Sequence, residues 1–139
     1  MSKILINWTD TYSIGYSEID NQHKKLVEMI NVLYNAFSQG AVENVIKDIL
    51  DEMIKYTDYH FKNEEKYFEK YTYSDAQEHI KQHEEFVSKV TDFYQEYKEG
   101  SETLTYDIMH FLRDWLLDHI KDSDKKYGNE FLKKDIVEL

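Results

Sequence analysis

The stretch that decides the fold is Met53-Ile-Lys-Tyr-Thr-Asp-Tyr-His60-Phe-Lys-Asn-Glu64-Glu-Lys-Tyr-Phe68. Met53, Tyr56, His60, Glu64, Tyr67 and Phe68 recur at steps of three and four, which lines one face of an α-helix and not the alternating faces of a strand. The face continues backwards through Ile49 and Val45, and no glycine or proline interrupts it, so one long helix is expected over 42–71. Its apolar stripe carries two ionisable residues, His60 and Glu64, where a plain core would carry none.

The flanking segments keep the same period. Ser17 with Asp20 three residues on resembles a capping box. Ile19, His23, Leu26, Val27, Ile30, Leu33, Tyr34 and Phe37 then mark a first helix over 18–39, which Gly40 ends. Ser74 with Gln77 resembles a second capping box and opens a helix over 74–99, with Ala76, His79, Ile80, His83, Phe86, Val87, Val90 and Tyr94 inward and Gly100 beyond it. A fourth helix over 103–121 carries Leu104, Ile108, Phe111, Leu112, Trp115, Leu116 and His119. Residues 1–17 have no helical period and read as an extended arm, and 122–139 read as a short C-terminal segment with a polar stretch and a last apolar cluster. Four amphipathic helices joined by short turns predict an all-α, up-down-up-down four-helix bundle in one domain over 1–139.

Composition agrees and narrows the partners. The chain has 139 residues, 41% of them hydrophobic, enough for one core, with no proline and four glycines. Seventeen basic against 28 acidic residues give a net charge of −11, which repels phosphate backbones and anionic lipid headgroups, so neither nucleic acid nor membrane is an expected partner. No apolar run approaches the ~20 residues needed to span a bilayer, and residues 1–10 lack a signal-peptide core, so a cytoplasmic location is expected. The absence of cysteine excludes thiolate zinc sites and iron–sulfur clusters, leaving nitrogen and oxygen donors for any metal.

Five of the six histidines, His23, His60, His79, His83 and His119, fall on inward stripes, with carboxylates at Glu64 and Asp124 close behind two of them. A single histidine on such a stripe is commonly a hydrogen-bonded core residue. The pairs His60/Glu64 and His79/His83 are four apart, a turn of rise with an offset of about 40°, so each pair can reach a common point. What separates this chain from a bundle with scattered polar residues is that all four helices contribute a donor to the core. Burying five imidazoles and two carboxylates unpaired costs several kcal/mol for each ionised group, and a cation removes that penalty. His110 serves as an internal contrast: nine residues before His119, it is turned about 180° around the helix and should face away.

One tetrahedral zinc has no use for seven ligands, and His79-Ile-Lys-Gln-His83 lacks the glutamate of a zinc-peptidase helix. Two metals are required, and imidazole with carboxylate suits iron. The Glu-x-x-His motif of ferritin-like di-iron enzymes is missing, because no histidine has a glutamate three residues before it.

Taken together, the residues resemble the hemerythrin family, and more closely its single-domain bacterial members. The resemblance spans the arm (Trp8, Tyr12, Ser13, Ile14, Gly15), Ile19-Asp20-Asn21-Gln22-His23, then His60, Glu64, His79 and His83, and Trp115-Leu116-Leu117-Asp118-His119-Ile120 with Asp124 and Tyr127. It implies two iron ions, one held by His79, His83 and His119 and the other by His23 and His60, bridged by Glu64, Asp124 and an oxo or hydroxo group, with a vacancy on the second iron for dioxygen. Asp124 is the ligand that geometry favours least. Five residues from His119 it is rotated about 140° in a regular helix, where Asp122 would fit better, so the family pattern requires the fourth helix to end or distort just after Ile120.

The resemblance also implies that Leu26, Phe61, Trp115, Leu116 and Ile120 line an oxygen pocket. These are apolar and offer no acid or base to a bound substrate, which favours binding over turnover. The expected function is therefore non-enzymatic, reversible dioxygen binding at a non-haem di-iron centre for carriage, storage or sensing, with a reductase or an oxygen-consuming enzyme as a further partner. A di-iron oxidase or peroxidase, or a protein that handles iron or nitric oxide, is the alternative. Tyr56 or Tyr67, one or two turns from a ligand, is a candidate to hydrogen-bond the ligands, against the plainer reading that tyrosines fill the core.

Overall fold

Why the first helix stops where it does is visible in its last turn. Gly40 adopts φ of 70°. Its N–H bonds the Phe37 carbonyl at 3.1 Å, and Ala41 N–H bonds Ala36 O at 3.0 Å. This paired closure satisfies the orphan carbonyls of a helix end and turns the chain back. The structure is a computed structural model describing residues 4–100 and 103–139; the first three residues of the expected arm lie outside these. Helix α1 runs Ser17–Ser38, α2 Glu43–Lys70, α3 Ala76–Lys98 and α4 Tyr106–Asp118; a π-helical segment, His119–Asp124, leads into α5, Lys125–Lys133. α1 packs on α2, α2 on α3, and α4 closes against α1. The result is an all-α bundle of four helices, the fourth made of α4, the π segment and α5, with no strand among the described residues.

The apolar stripes bury as helical periodicity requires, with corrections at their ends. In α2 the buried residues are Ile46, Leu50, Met53 and Thr57, then His60, Phe61, Glu64, Tyr67 and Phe68, whereas Val45 is 45% exposed. The stripe expected through Val45 and Ile49 is thus displaced by one residue in the first turns. In α4 the wholly buried Met109 joins Leu112 and Leu116. His110 is exposed, turned away from the core.

Neither expected capping box forms. Ser17 and Asp75 sit at the starts of α1 and α3 without a side-chain cap. Asp20 instead accepts from Ser13 Oγ at 2.5 Å and Ile14 N–H at 2.9 Å, and Ser74 is held by Glu130 of α5. Both acceptors serve the turns before the helices, because there the unpaired donors have no other partner.

The arm is strapped to α1 by Asn31, whose Oδ1 takes the N–H groups of Leu5 and Ile6 at 2.9 Å and whose Nδ2 donates to Ile6 O at 2.8 Å. Ile6, Ile14 and Tyr16 are buried beneath it. The C-terminal segment departs most from expectation, since it stays helical to Lys133 and buries Tyr127, Gly128 and Phe131. The arm crosses α5 at Gly128, where a Cβ would stand 2.6 Å from the Ile14 carbonyl oxygen. Glycine to alanine ordinarily stabilises a helix by roughly 1 kcal/mol. Here Gly128→Ala should instead destabilise by about 2 kcal/mol, as overpacking against backbone does, and a melting curve that rises or stays level would refute the close approach.

Candidate metal centre

Each helix delivers its donors at the same depth. His23 comes from α1, His60 and Glu64 from α2, His79 and His83 from α3, and His119 and Asp124 from the two ends of the π segment. A π segment closes on i→i+5 hydrogen bonds, so residues five apart share a face. That resolves the angular problem of His119 and Asp124. Asp124 is 1% exposed among the imidazoles, and Asp122 lies at the surface.

The donors gather into two groups that share both carboxylates. Ligand atoms of Glu64, His79, His83, His119 and Asp124 lie within 4.8 Å of one another, and so do those of His23, His60, Glu64 and Asp124. Asp124 stands between the groups: Oδ1 lies 2.9 Å from His79 Nε2 and 3.1 Å from His119 Nε2, and Oδ2 lies 2.9 Å from His23 Nε2. Glu64 Oε1 likewise faces His60 Nε2 at 3.2 Å and His83 Nε2 at 3.4 Å. All seven residues are at most 5% exposed.

Several of these atoms lack any hydrogen-bond partner: both ring nitrogens of His23, His79 Nε2, Glu64 Oε1 and both Asp124 oxygens. An unprotonated imidazole nitrogen facing a carboxylate offers two acceptors and no proton. Buried acceptors converging in this way are costly unless a cation stands among them. Nitrogen and carboxylate donors without thiolate fit a divalent or trivalent transition ion, and two groups with two shared carboxylates fit a pair.

The electrostatics are those of a buried cluster of opposite charges. Burial and the neighbouring Asp124 push the Glu64 carboxyl up, but the His60 and His83 imidazoles outweigh them and hold it well below the usual carboxylate range. Asp124 is depressed in the same way, burial being overcome by His119, His23 and His79. Burial opposes charge on His83, yet Glu64 and Glu65 raise it to about 9. In His119 burial prevails and lowers the imidazole.

The outer faces of the rings are braced by residues that sequence reasoning did not single out. Gln22 Oε1 meets His60 Nδ1 at 2.6 Å, Glu65 Oε2 meets His83 Nδ1 at 2.9 Å, and Gln82 Oε1 meets His119 Nδ1 at 3.1 Å while also accepting from Ser123 Oγ. The only local signal was that Gln22, Glu65 and Gln82 each sit next to a donor in sequence. Neither Tyr56 nor Tyr67 reaches a donor. Tyr67 donates to Glu18 at 2.7 Å, and the tyrosine on the cluster is Tyr127, wholly buried and donating to Glu64 Oε2 at 2.5 Å.

Aromatic rings cover two of the imidazoles. Phe61 stacks on His83 with ring centroids 3.8 Å apart and 2° between planes, and Trp115 stacks on His119 at 4.5 Å and 12°. Leu26, Phe61 and Leu116 line an enclosed void of about 10 Å³ with Ile30, Met53, Thr57, Phe86 and Leu112. Trp115 and Ile120 are not in its lining. Trp115 lies between His119 and Phe86, and Ile120 is wholly buried in the π segment.

Comparison with known proteins agrees with this architecture. A family model described as the hemerythrin HHE cation binding domain matches residues 14–130. The chain is similar to a bacteriohemerythrin of Pseudomonas paraeruginosa, 36% identical over 120 residues, covering 86% of this chain and 77% of that protein. It is also similar to a bacteriohemerythrin of Methylococcus capsulatus, 33% identical over 127 residues, covering 89% of this chain and 95% of that protein. Among solved structures, it resembles a crystal structure of wild-type hemerythrin with a TM-score of 0.86 and 32% identity, over 90% of this chain and 96% of that one. No helix among the described residues is long and apolar enough to cross a membrane. The chain belongs to the hemerythrin family.

Proposed function

We propose that the seven buried donors hold two iron ions, His79, His83 and His119 on one and His23 and His60 on the other, with Glu64 and Asp124 bridging, and that the pair binds dioxygen reversibly without consuming it. The observation that carries this reading is the division of the donors into two groups sharing both carboxylates. Two ferrous ions held there would supply the electrons with which dioxygen is bound. The protein's part is to hold the ions and keep the site dry.

Its residues suit that task. The void beside Phe61 is about the size of a single water, but its walls are almost entirely apolar, and the one hydroxyl there, Thr57, is engaged with the Met53 carbonyl at 2.7 Å. Water needs two or more polar partners to stay in such a space, whereas a small apolar molecule needs none. Excluding water and protons protects a bound, partly reduced ligand from side reactions. The stacked rings of Phe61 and Trp115 cover two of the ligand imidazoles, and neither can donate or accept a proton in general acid or base chemistry. This supports binding over turnover.

The experiment is to load the protein with iron, reduce it anaerobically, and follow its visible spectrum while oxygen is admitted and then removed under argon. A charge-transfer band that forms and vanishes over repeated cycles is expected. A band that decays once to a ferric spectrum, or steady turnover with an added reductant, would replace this reading with an oxidase or peroxidase. Preferential retention of nitric oxide, or ready loss of iron to a mild chelator, would point to handling of those species.

A further inference from the structure

Three imidazoles of the cluster are braced at Nδ1 by side chains, but not by the same chemistry. His60 and His119 meet the neutral amide oxygens of Gln22 and Gln82, whereas His83 meets the carboxylate of Glu65. The His83 ring is fixed twice over, by Glu65 at its edge and by Phe61 lying parallel on its face. Glu65 is itself 26% exposed, at the lip of a cleft between α2 and α3 that it shares with Asp58, Lys62 and Glu84. It is thus a charged group placed between solvent and one donor.

A carboxylate accepting from Nδ1–H draws that proton toward itself, makes the ring more imidazolate-like and strengthens Nε2 as a donor; an amide oxygen does this far less. We infer that Glu65 is a positioning residue that adds to the inequality of the two metal positions, tightening binding and lowering the reduction potential on the His79/His83/His119 side relative to the His23/His60 side. The inference rests on the ligand role proposed for His83.

Glu65→Gln is the discriminating variant because it keeps a bond acceptor of the same shape and removes only the charge. The probe is Co²⁺, titrated into the metal-free full-length protein and followed by its visible absorption, which reads affinity without oxygen. Wild type should bind two ions, and Glu65→Gln should weaken one of them by about 10- to 100-fold while leaving the other within about twofold. Glu65→Asp should recover part of the loss, and Glu84→Gln, in the same cleft but not on a ligand, should match wild type. With iron, the midpoint potential of Glu65→Gln should rise, a change that a merely structural role would not produce. Identical cobalt titrations for wild type and Glu65→Gln, with two ions bound in both, would overturn this inference alone, and so would an equal loss in Glu84→Gln. Failure of wild type to bind two ions would overturn the ligand set, and this inference with it.

Discussion

Asp124→Asn should empty the centre. The side chain keeps its size, but the charge shared by His23, His79 and His119, all within 3.1 Å of its oxygens, is lost. An amide there also presents an N–H₂ donor toward a cation or a ring nitrogen. If Asp124 bridges as proposed, its loss would remove an interaction from both metals at once, so the effect should exceed the 10- to 100-fold typical of outer-sphere changes, and we expect about 1,000-fold or more in affinity with fewer than two irons retained. Asp122→Asn is the matched control. Asp122 is exposed and should leave iron content and affinity unchanged. Iron analysis of the two purified variants decides the matter, and normal iron in Asp124→Asn or depleted iron in Asp122→Asn would reverse the assignment of the bridge.

Removal of the metal should cost stability, and the cost should grow with pH. A ligand present at 1,000 times its dissociation constant stabilises the folded state by about 4 kcal/mol. For a chain of this size that corresponds to a fall in melting temperature of about 10 °C or more on chelation. The pH dependence follows from the charge cluster. His83 is raised to about 9 in the metal-free protein. Its ion pairing is therefore fully present below the ordinary histidine value of about 6.5, and is lost as pH rises toward 9. Glu64 and Asp124 are depressed, so their contribution is present above the ordinary carboxylate value of about 4 and fails only in acid. A metal ion must displace the proton from His83, so it binds more tightly as pH increases. The metal-free protein should lose stability between about pH 6.5 and 9 while the loaded protein holds or gains. Calorimetry with and without chelator at pH 6 and pH 9 should show the gap widening, and a constant or narrowing gap would mean that the cluster does not exchange protons for metal.

The void beside the centre has a different standing from the ligands. Leu26, Phe61 and Leu116 are found there because each is one residue or one turn from a donor on the same face. Trp115 and Ile120 satisfy the same sequence rule but lie outside the void's lining, Trp115 stacked on Phe86 at 4.0 Å and Ile120 buried in the π segment.

What could be read from the chain alone was periodic. The stripe through Met53, His60, Glu64 and Phe68 specifies both a helix and the face it buries, because side-chain direction in a helix repeats with the backbone. Donor type is a property of the residue itself, so nitrogen and oxygen donors of a kind that suits a metal could be placed on four helices without coordinates. The distortion after Ile120 is required only by the family pattern, since a regular helix of 3.6 residues per turn would favour Asp122 over Asp124.

Tertiary structure decided everything that depends on which helix stands beside which. The bonds from Gln22 to His60, Glu65 to His83 and Gln82 to His119 span 38, 18 and 37 residues, and Tyr127 reaches Glu64 across 63. The same holds for the close pass of Ile14 over Gly128, for the π segment that leads into α5, and for the bonds that took Asp20 and Ser74 away from helix caps. Periodicity is a one-dimensional property that each helix carries alone. Pairing and depth exist only after the helices have packed, when buried polar groups must take whatever partner the neighbouring helix presents.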